Sequence, residues 1–283
     1  MEEFGGLSET ERQIAALVLA VGLLYVFARV GYVYFFGERF TFYNVFHPVK
    51  RITAKERQFI SEFLIPFQHF NAEQKRTFLK RFAWFKSKKA FVFYNGITNT
   101  EKIKAYVSAS AALLTMGMRD FRYEKSISRI IIYPNTYYSR IRKNHHIGEF
   151  NPNLKILVFS AEDLEKGFKI PNDNRNLGIH EVAHALMFEM RNKSSWEARR
   201  FKVGLAQIKR IYDQKDFQKK LEESTYFRTY AKSNFYEFFA VIMENFIESS
   251  SEFSNKFPDL YDILRRMLNF DLNKPLWRLK NLP

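Results

Sequence analysis

The stretch His180-Glu181-Val182-Ala183-His184 constrains this chain more than any other. Histidines four positions apart share a face on a helix, where the second stands one turn beyond the first. The surrounding pattern agrees. Leu177, Ile179, Val182, Ala183, Leu186 and Met187 recur at helical spacing, and Asn176 stands where a cap is needed. Two imidazoles on so apolar a helix are costly to bury unless each has a partner. A divalent metal satisfies both, and a carboxylate beside them completes the minimal kit of a zinc hydrolase. The alternative is a pair of histidines hydrogen-bonded within a core.

A catalytic zinc site takes three protein ligands and leaves the fourth position to water. The other histidines, His47, His69, His145 and His146, all precede the motif. None follows His184 at metzincin spacing, which excludes that class. The third ligand is therefore expected to be a carboxylate. Glu189, Glu197, Glu222 and Glu223 stand among polar or charged neighbours, where a solvated face accounts for them. Glu237 stands in the run from Phe235 to Glu244, so apolar that an ionised carboxylate there needs a cation. Glu244, two turns further along the same face, is the next candidate.

Several blocks carry a family resemblance. They are Ile179 to Leu186, Tyr230 to Val241 with its Y-x6-E-F-F-A-V pattern, Glu244 to Glu248, Phe257 to Tyr261 and, more weakly, Ile130 to Pro134. In these blocks, over roughly residues 70–270, the chain resembles the Mlc titration factor A family of zinc peptidases, of gluzincin type. The resemblance implies one Zn2+ per chain, with His180, His184 and Glu237 as ligands, Glu181 as general base and Tyr230 as a catalytic hydroxyl facing the oxyanion. It implies peptide-bond hydrolysis, aminopeptidase action among the options, and a peptide or protein substrate. It also implies association with a transcriptional regulator, so that a binding module sequestering such a regulator is the rival reading. Glu244 is expected either to orient a ligand imidazole from outside the ligand set or to be a surface carboxylate.

Leu154 to Ser160 is short and apolar, follows Pro152 and precedes a charged helix start, and reads as a strand. In peptidases of the type it resembles, such a strand binds extended peptide by backbone pairing, which makes Leu157, Val158 and Phe159 the expected substrate-binding residues; an ordinary inner strand is the alternative. Phe159-Ser160-Ala161 replaces the family's usual Trp there. Leu186-Met187 and the charged Arg191-Asn192-Lys193 replace its Leu-Asp and Gly/Pro-rich loop.

The second large feature is N-terminal. Ile14 to Ala28 carries no charge, and with Arg29 tolerated the apolar stretch runs to Phe36. Residues 14–36 as a helix span about 35 Å, enough for one bilayer crossing. Arg29 can snorkel, and Tyr25, Tyr32, Tyr34, Phe35 and Phe36 suit an aromatic belt. Glu2, Glu3, Glu9 and Glu11 make the preceding segment acidic, unlike a cleaved leader. Arg12 is the sole basic residue before the span, whereas Arg39, Lys50, Arg51, Lys55 and Arg57 follow it. The positive-inside rule then puts the larger part of the chain in the cytoplasm.

Lys and Arg number 45 against 30 Asp and Glu, a net charge of +15 that suits an anionic membrane surface. Nucleic acid is the competing partner. Arg76, Lys80, Arg81, Lys86, Lys88 and Lys89 surround Trp84 without a recognised nucleic-acid motif, so a solvated amphipathic helix is expected instead. The absence of Cys excludes disulfides and thiol catalysis.

The expected organisation is an acidic extracytoplasmic tail over 1–12, a transmembrane anchor over 13–36, a basic linker over 37–57 and a metallopeptidase domain over 58–283. The expected fold is α+β and mostly helical, with a small mixed sheet packed on the active-site helices. Helices are expected over 51–89 and through most of the chain after Leu177. Strands are expected at Phe91 to Tyr94 and Arg129 to Tyr133, with an Ala-rich helix between them.

Overall fold

The computed structural model describes residues 8–36, 46, 48–139 and 144–273. Residues 37–45 of the expected linker, His47 and the last ten residues lie outside the described residues. The chain divides into two compact units, residues 1–49 and 50–283.

The first unit holds helix α1 (Glu9–Phe36). It is long and apolar enough to cross a membrane. Leu17, Leu24 and Phe27 are exposed along it, which is unlike a helix that exists to fill a soluble core.

The second unit opens with three helices, α2 (Ala54–Phe63), α3 (Ile65–His69) and α4 (Ala72–Lys88). Reciprocal capping boxes start two of them, Thr53 with Glu56 for α2 and Asn71 with Gln74 for α4. Strand β1 (Ala90–Phe93) leads into α5 (Thr100–Leu114), whose residues are buried continuously from Ala105 to Leu114. A helix apolar on every side belongs at the centre of a core, and α5 packs between α4 and the H-E-x-x-H helix.

Five strands follow, β2 (Arg129–Tyr133), β3 (Tyr137–Ser139), β4 (Asn144–His146), β5 (Gly148–Asn151) and β6 (Ile156–Ser160). The main sheet has the order β1-β2-β6-β5. Its first three strands are parallel, whereas β5 runs antiparallel to β6 with Gly148 opposite Phe159. Strands β3 and β4 form a separate antiparallel pair.

The rest of the described chain is helical, apart from its connections. Helix α6 (Ala161–Lys169) is capped by Ser160, α7 (Leu177–Arg191) by Asn176, and α8 (Trp196–Tyr212) by Ser195. After α9 (Lys215–Glu223), a 3-10 turn (Thr229–Lys232) leads to α10 (Phe235–Glu248), α11 (Ser250–Lys256) and α12 (Pro258–Leu268). The α+β fold, mostly helical with a small mixed sheet, is thus as the sequence led us to expect.

Two expectations about charge are corrected. Glu189 is no solvated residue but a buried one. One of its carboxylate oxygens accepts the backbone N–H groups of Lys125 and Ser126, and the other meets the Lys193 ammonium at 2.5 Å. The basic run around Trp84 is likewise not simply a solvated face. Arg81 donates to the Met118 carbonyl, Lys86 is held by Glu56 and Glu101, and Lys89 donates to the Tyr123 and Ile127 carbonyls. Three of its cations are spent inside the fold, where burial lowers the Lys89 ammonium to about 8.

Candidate metal centre

Helix α7 carries His180, Glu181 and His184, and helix α10 carries Glu237 and Glu244. Asn234 caps α10 by accepting the backbone N–H groups of Tyr236 and Glu237, which fixes Glu237 in the first turn. The two helices pack in opposite directions, as their partners reveal. His184 meets Glu237, His180 meets Glu237 and Glu244, and Asn176 meets Glu248. Rungs one turn apart on α7 therefore face successive turns of α10.

The Nε2 atoms of His180 and His184 lie 3.2 Å apart. The Glu237 Oε2 atom stands 3.0 Å from the first and 3.3 Å from the second. Donors held about 2.0–2.1 Å from a tetrahedral ion stand about 3.3 Å from one another, so this triangle has nearly the dimensions such an ion requires. Among the described residues, His180, His184 and Glu237 are the group of side chains found able to hold a metal ion. Two imidazole nitrogens and one carboxylate oxygen make a donor set suited to a divalent first-row metal.

The other face of His180 is equally specified. Its Nδ1 lies 3.3 Å from Glu244 Oε2, and Arg228 Nη2 lies 3.1 Å from the same nitrogen while pairing with that carboxylate. With Nδ1–H aimed at Glu244, Nε2 is the nitrogen turned to the triangle, where a bound ion would take the place of its proton. Glu244 is wholly buried and Arg228 is partly exposed.

Electrostatics show the same demand for a cation. Burial alone would lower the His180 imidazole, yet Glu244, Glu237 and Glu181 outweigh it and hold the ring up at about 10. Burial would raise Glu237, but hydrogen bonds from His180 and His184 carry it well below the usual carboxylate range.

Glu181 is buried beneath strand β5. A Cβ placed on Gly148 would stand 2.9 Å from Glu181 Oε1 and 2.6 Å from Leu177 Cδ1, so a larger residue there would push both side chains aside. Tyr230 lies on the 3-10 turn before α10, half exposed, with its ring 5.7 Å from that of His180.

The structure therefore brings together His180, Glu181, His184, Glu237, Glu244 and Tyr230. It does not support peptide pairing on Leu157, Val158 and Phe159. Strand β6 is bonded to β2 on one side and β5 on the other, and Leu157 and Phe159 are fully buried. An inner strand has no free edge, and the outer strand beside α7 is β5. The remaining acidic candidates lie elsewhere. Glu197 accepts the backbone N–H groups of Arg119 and Asp120, while Glu222 and Glu223 are exposed. Arg228 and Gly148 escaped the sequence reading. The one signal for Arg228 is its place two residues before Tyr230, and Gly148 stands in a strand too short to show a period.

A helix pair presenting His, His and Glu around a common point, with a carboxylate next in sequence to the first His, is suited to a metal ion and has the donor pattern known from metal-dependent hydrolases. The family model of the glucose-regulated metallopeptidases, M90, matches residues 47–269. The chain belongs to this family and is a metallopeptidase, in agreement with the resemblance to Mlc titration factor A. No curated protein matches it by sequence.

Proposed function

We propose that the chain is a membrane-anchored zinc peptidase, with His180, His184 and Glu237 as the ligands. What carries the reading is the triangle of donors on two antiparallel helices, with edges of 3.0, 3.2 and 3.3 Å. When bound, zinc supplies Lewis acidity and makes water a nucleophile at neutral pH. Glu181 takes the proton of the attacking water and passes it to the leaving amine. Tyr230 donates its phenolic proton to the developing oxyanion as a hydrogen bond. Glu244, paired with Arg228, keeps the His180 ring turned towards the ion. The substrate lies extended along β5, the outer strand beside Glu181, and is cleaved as a short peptide or flexible end, with aminopeptidase action as one form.

In the same reading residues 1–12 are a tail outside the membrane, 13–36 the anchor, 37–57 a basic linker and 58–283 the peptidase domain in the cytoplasm.

Metal content and peptide cleavage test this together. Glu181→Gln is expected to retain zinc and to lose about 10²–10⁴-fold in kcat. Glu237→Ala is expected to lose zinc while Glu222→Ala keeps it. Equal retention in both would sink the ligand assignment, and wild type that binds zinc but cleaves nothing in a broad peptide library would sink the peptidase reading.

A further inference from the structure

A cleft of about 810 Å3 lies between the chain around Lys50, the start of α2, the end of α4 and the first turn of α5. That volume falls within the roughly 300–1,000 Å3 usual for ligand sites. Six basic residues and two acidic ones line it.

The basic residues are of two kinds. Lys86 is fixed at the floor by Glu56 at 2.5 Å and Glu101 at 2.6 Å, Lys104 joins Glu101 at 2.8 Å, and Lys102 joins Glu165 at 2.6 Å. These pairs consume both acidic residues of the lining. Lys50, Arg51 and Lys55 are exposed and have no carboxylate partner among the described residues. The opening is therefore strongly positive, while Ile52 and Phe59 give it an apolar wall. The backbone N–H groups that begin α5 reach the rim without a side-chain cap from Asn99 and add to the attraction for an anion. The Lys50 backbone N–H bonds Ser87 Oγ at 3.0 Å, which fastens the unpaired cations to α4.

Position in the chain names the ligand. Lys50 follows Phe36, the last residue of α1, by only fourteen positions. Cations immediately beyond a membrane span meet headgroups first, and the apolar wall suits the glycerol end of an amphiphile better than a free ion. We propose that this cleft binds the phosphate headgroup of an anionic phospholipid. The inference rests on the membrane-anchored reading.

The test uses the full chain in nanodiscs of mixed phosphatidylglycerol and phosphatidylcholine, with retained lipid counted by native mass spectrometry. Wild type is expected to retain phosphatidylglycerol at least about tenfold over phosphatidylcholine, since each basic side chain at an anionic surface contributes roughly fivefold. The variant with Lys50→Glu, Arg51→Glu and Lys55→Glu is expected to lose that preference. All three side chains are exposed, and an acidic residue in the first turn of α2 suits the helix, so the variant should melt as wild type does. A control with Arg199→Glu, Arg210→Glu and Lys215→Glu changes charge equally on α8 and α9, which do not line the cleft, and is expected to keep the preference. Equal loss in both variants, or none in either, overturns the proposal. Displacement of phosphatidylglycerol by millimolar inorganic phosphate overturns the lipid as ligand. Alkaline extraction of membranes separates the two readings, because release of wild type into the soluble fraction overturns the anchor itself.

Discussion

Charge placement decides what single residues do here. His180 sits among Glu181, Glu237 and Glu244, so its ring is held by carboxylates on both nitrogens. That arrangement was legible in part. H-E-x-x-H is a local pattern, and Glu237 stood out because an ionised group in an apolar run demands an explanation. Arg228 lay in no periodic element, and its role exists only where the chain folds back onto Glu244. Glu189 was misread because Arg191 and Lys193 follow it closely, whereas in the fold Lys193 and the backbone N–H groups of residues 125–126 hold it in the interior. One turn beyond Glu244, Glu248 is a carboxyl that burial pushes up to about 8, with Asn176 opposing the shift and Glu244 and Asp173 adding to it. A carboxyl whose folded pKa lies above its unfolded one binds a proton more readily in the native state. Its contribution is present in full below about 4.5 and is lost as pH rises through about 8. Thermal melts between pH 5 and 8.5 are therefore expected to show stability falling with pH. Glu248→Gln, which keeps an oxygen for Asn176, should flatten that slope, and an unchanged slope would refute the assignment.

At the scale of elements, the long helices were legible because their apolar spacing and caps lie within the sequence itself. The strands β3, β4 and β5 were not, because three or four residues are too few to show alternation. Missing β5 had a consequence, since it is β5 that covers the second side of β6 and makes it an inner strand. The close approach of β5 to α7 yields a sharp expectation. Gly148→Ala puts a methyl within 2.9 Å of the Glu181 carboxylate and 2.6 Å of Leu177. Stability is expected to fall by about 1–3 kcal/mol, as for other overpacked sites. Peptide cleavage should fall by at least about tenfold while metal content stays, because a carboxylate displaced by even 1 Å loses its alignment. Full kcat in this variant would show that Glu181 is not held by the strand.

For the whole molecule, the distribution of basic residues around α1 is the feature with the largest reach. One basic residue precedes the span and several follow it within twenty-one positions of Phe36. A reporter fused after Pro283 is expected to give a cytoplasmic signal, and an extracytoplasmic one would reverse the orientation. The sequence carried this much because membrane insertion reads local composition. It could not tell which cations are free, because Lys86 and Lys89 find their partners only in the folded chain.

The in-register pairing of α7 with α10 also governs how the protein behaves when its ion is taken away. All three donors project from helices, and those helices are held by packing and by the Asn176 to Glu248 bond rather than by the ion. Small zinc modules unfold on demetallation because their ligands are their core. Here a chelator is expected to abolish cleavage while leaving the far-ultraviolet circular dichroism unchanged, and readdition of zinc should restore turnover without a refolding lag. The protein can thus be emptied and refilled like a reusable vessel, with activity set by the metal supply around it rather than by fresh synthesis.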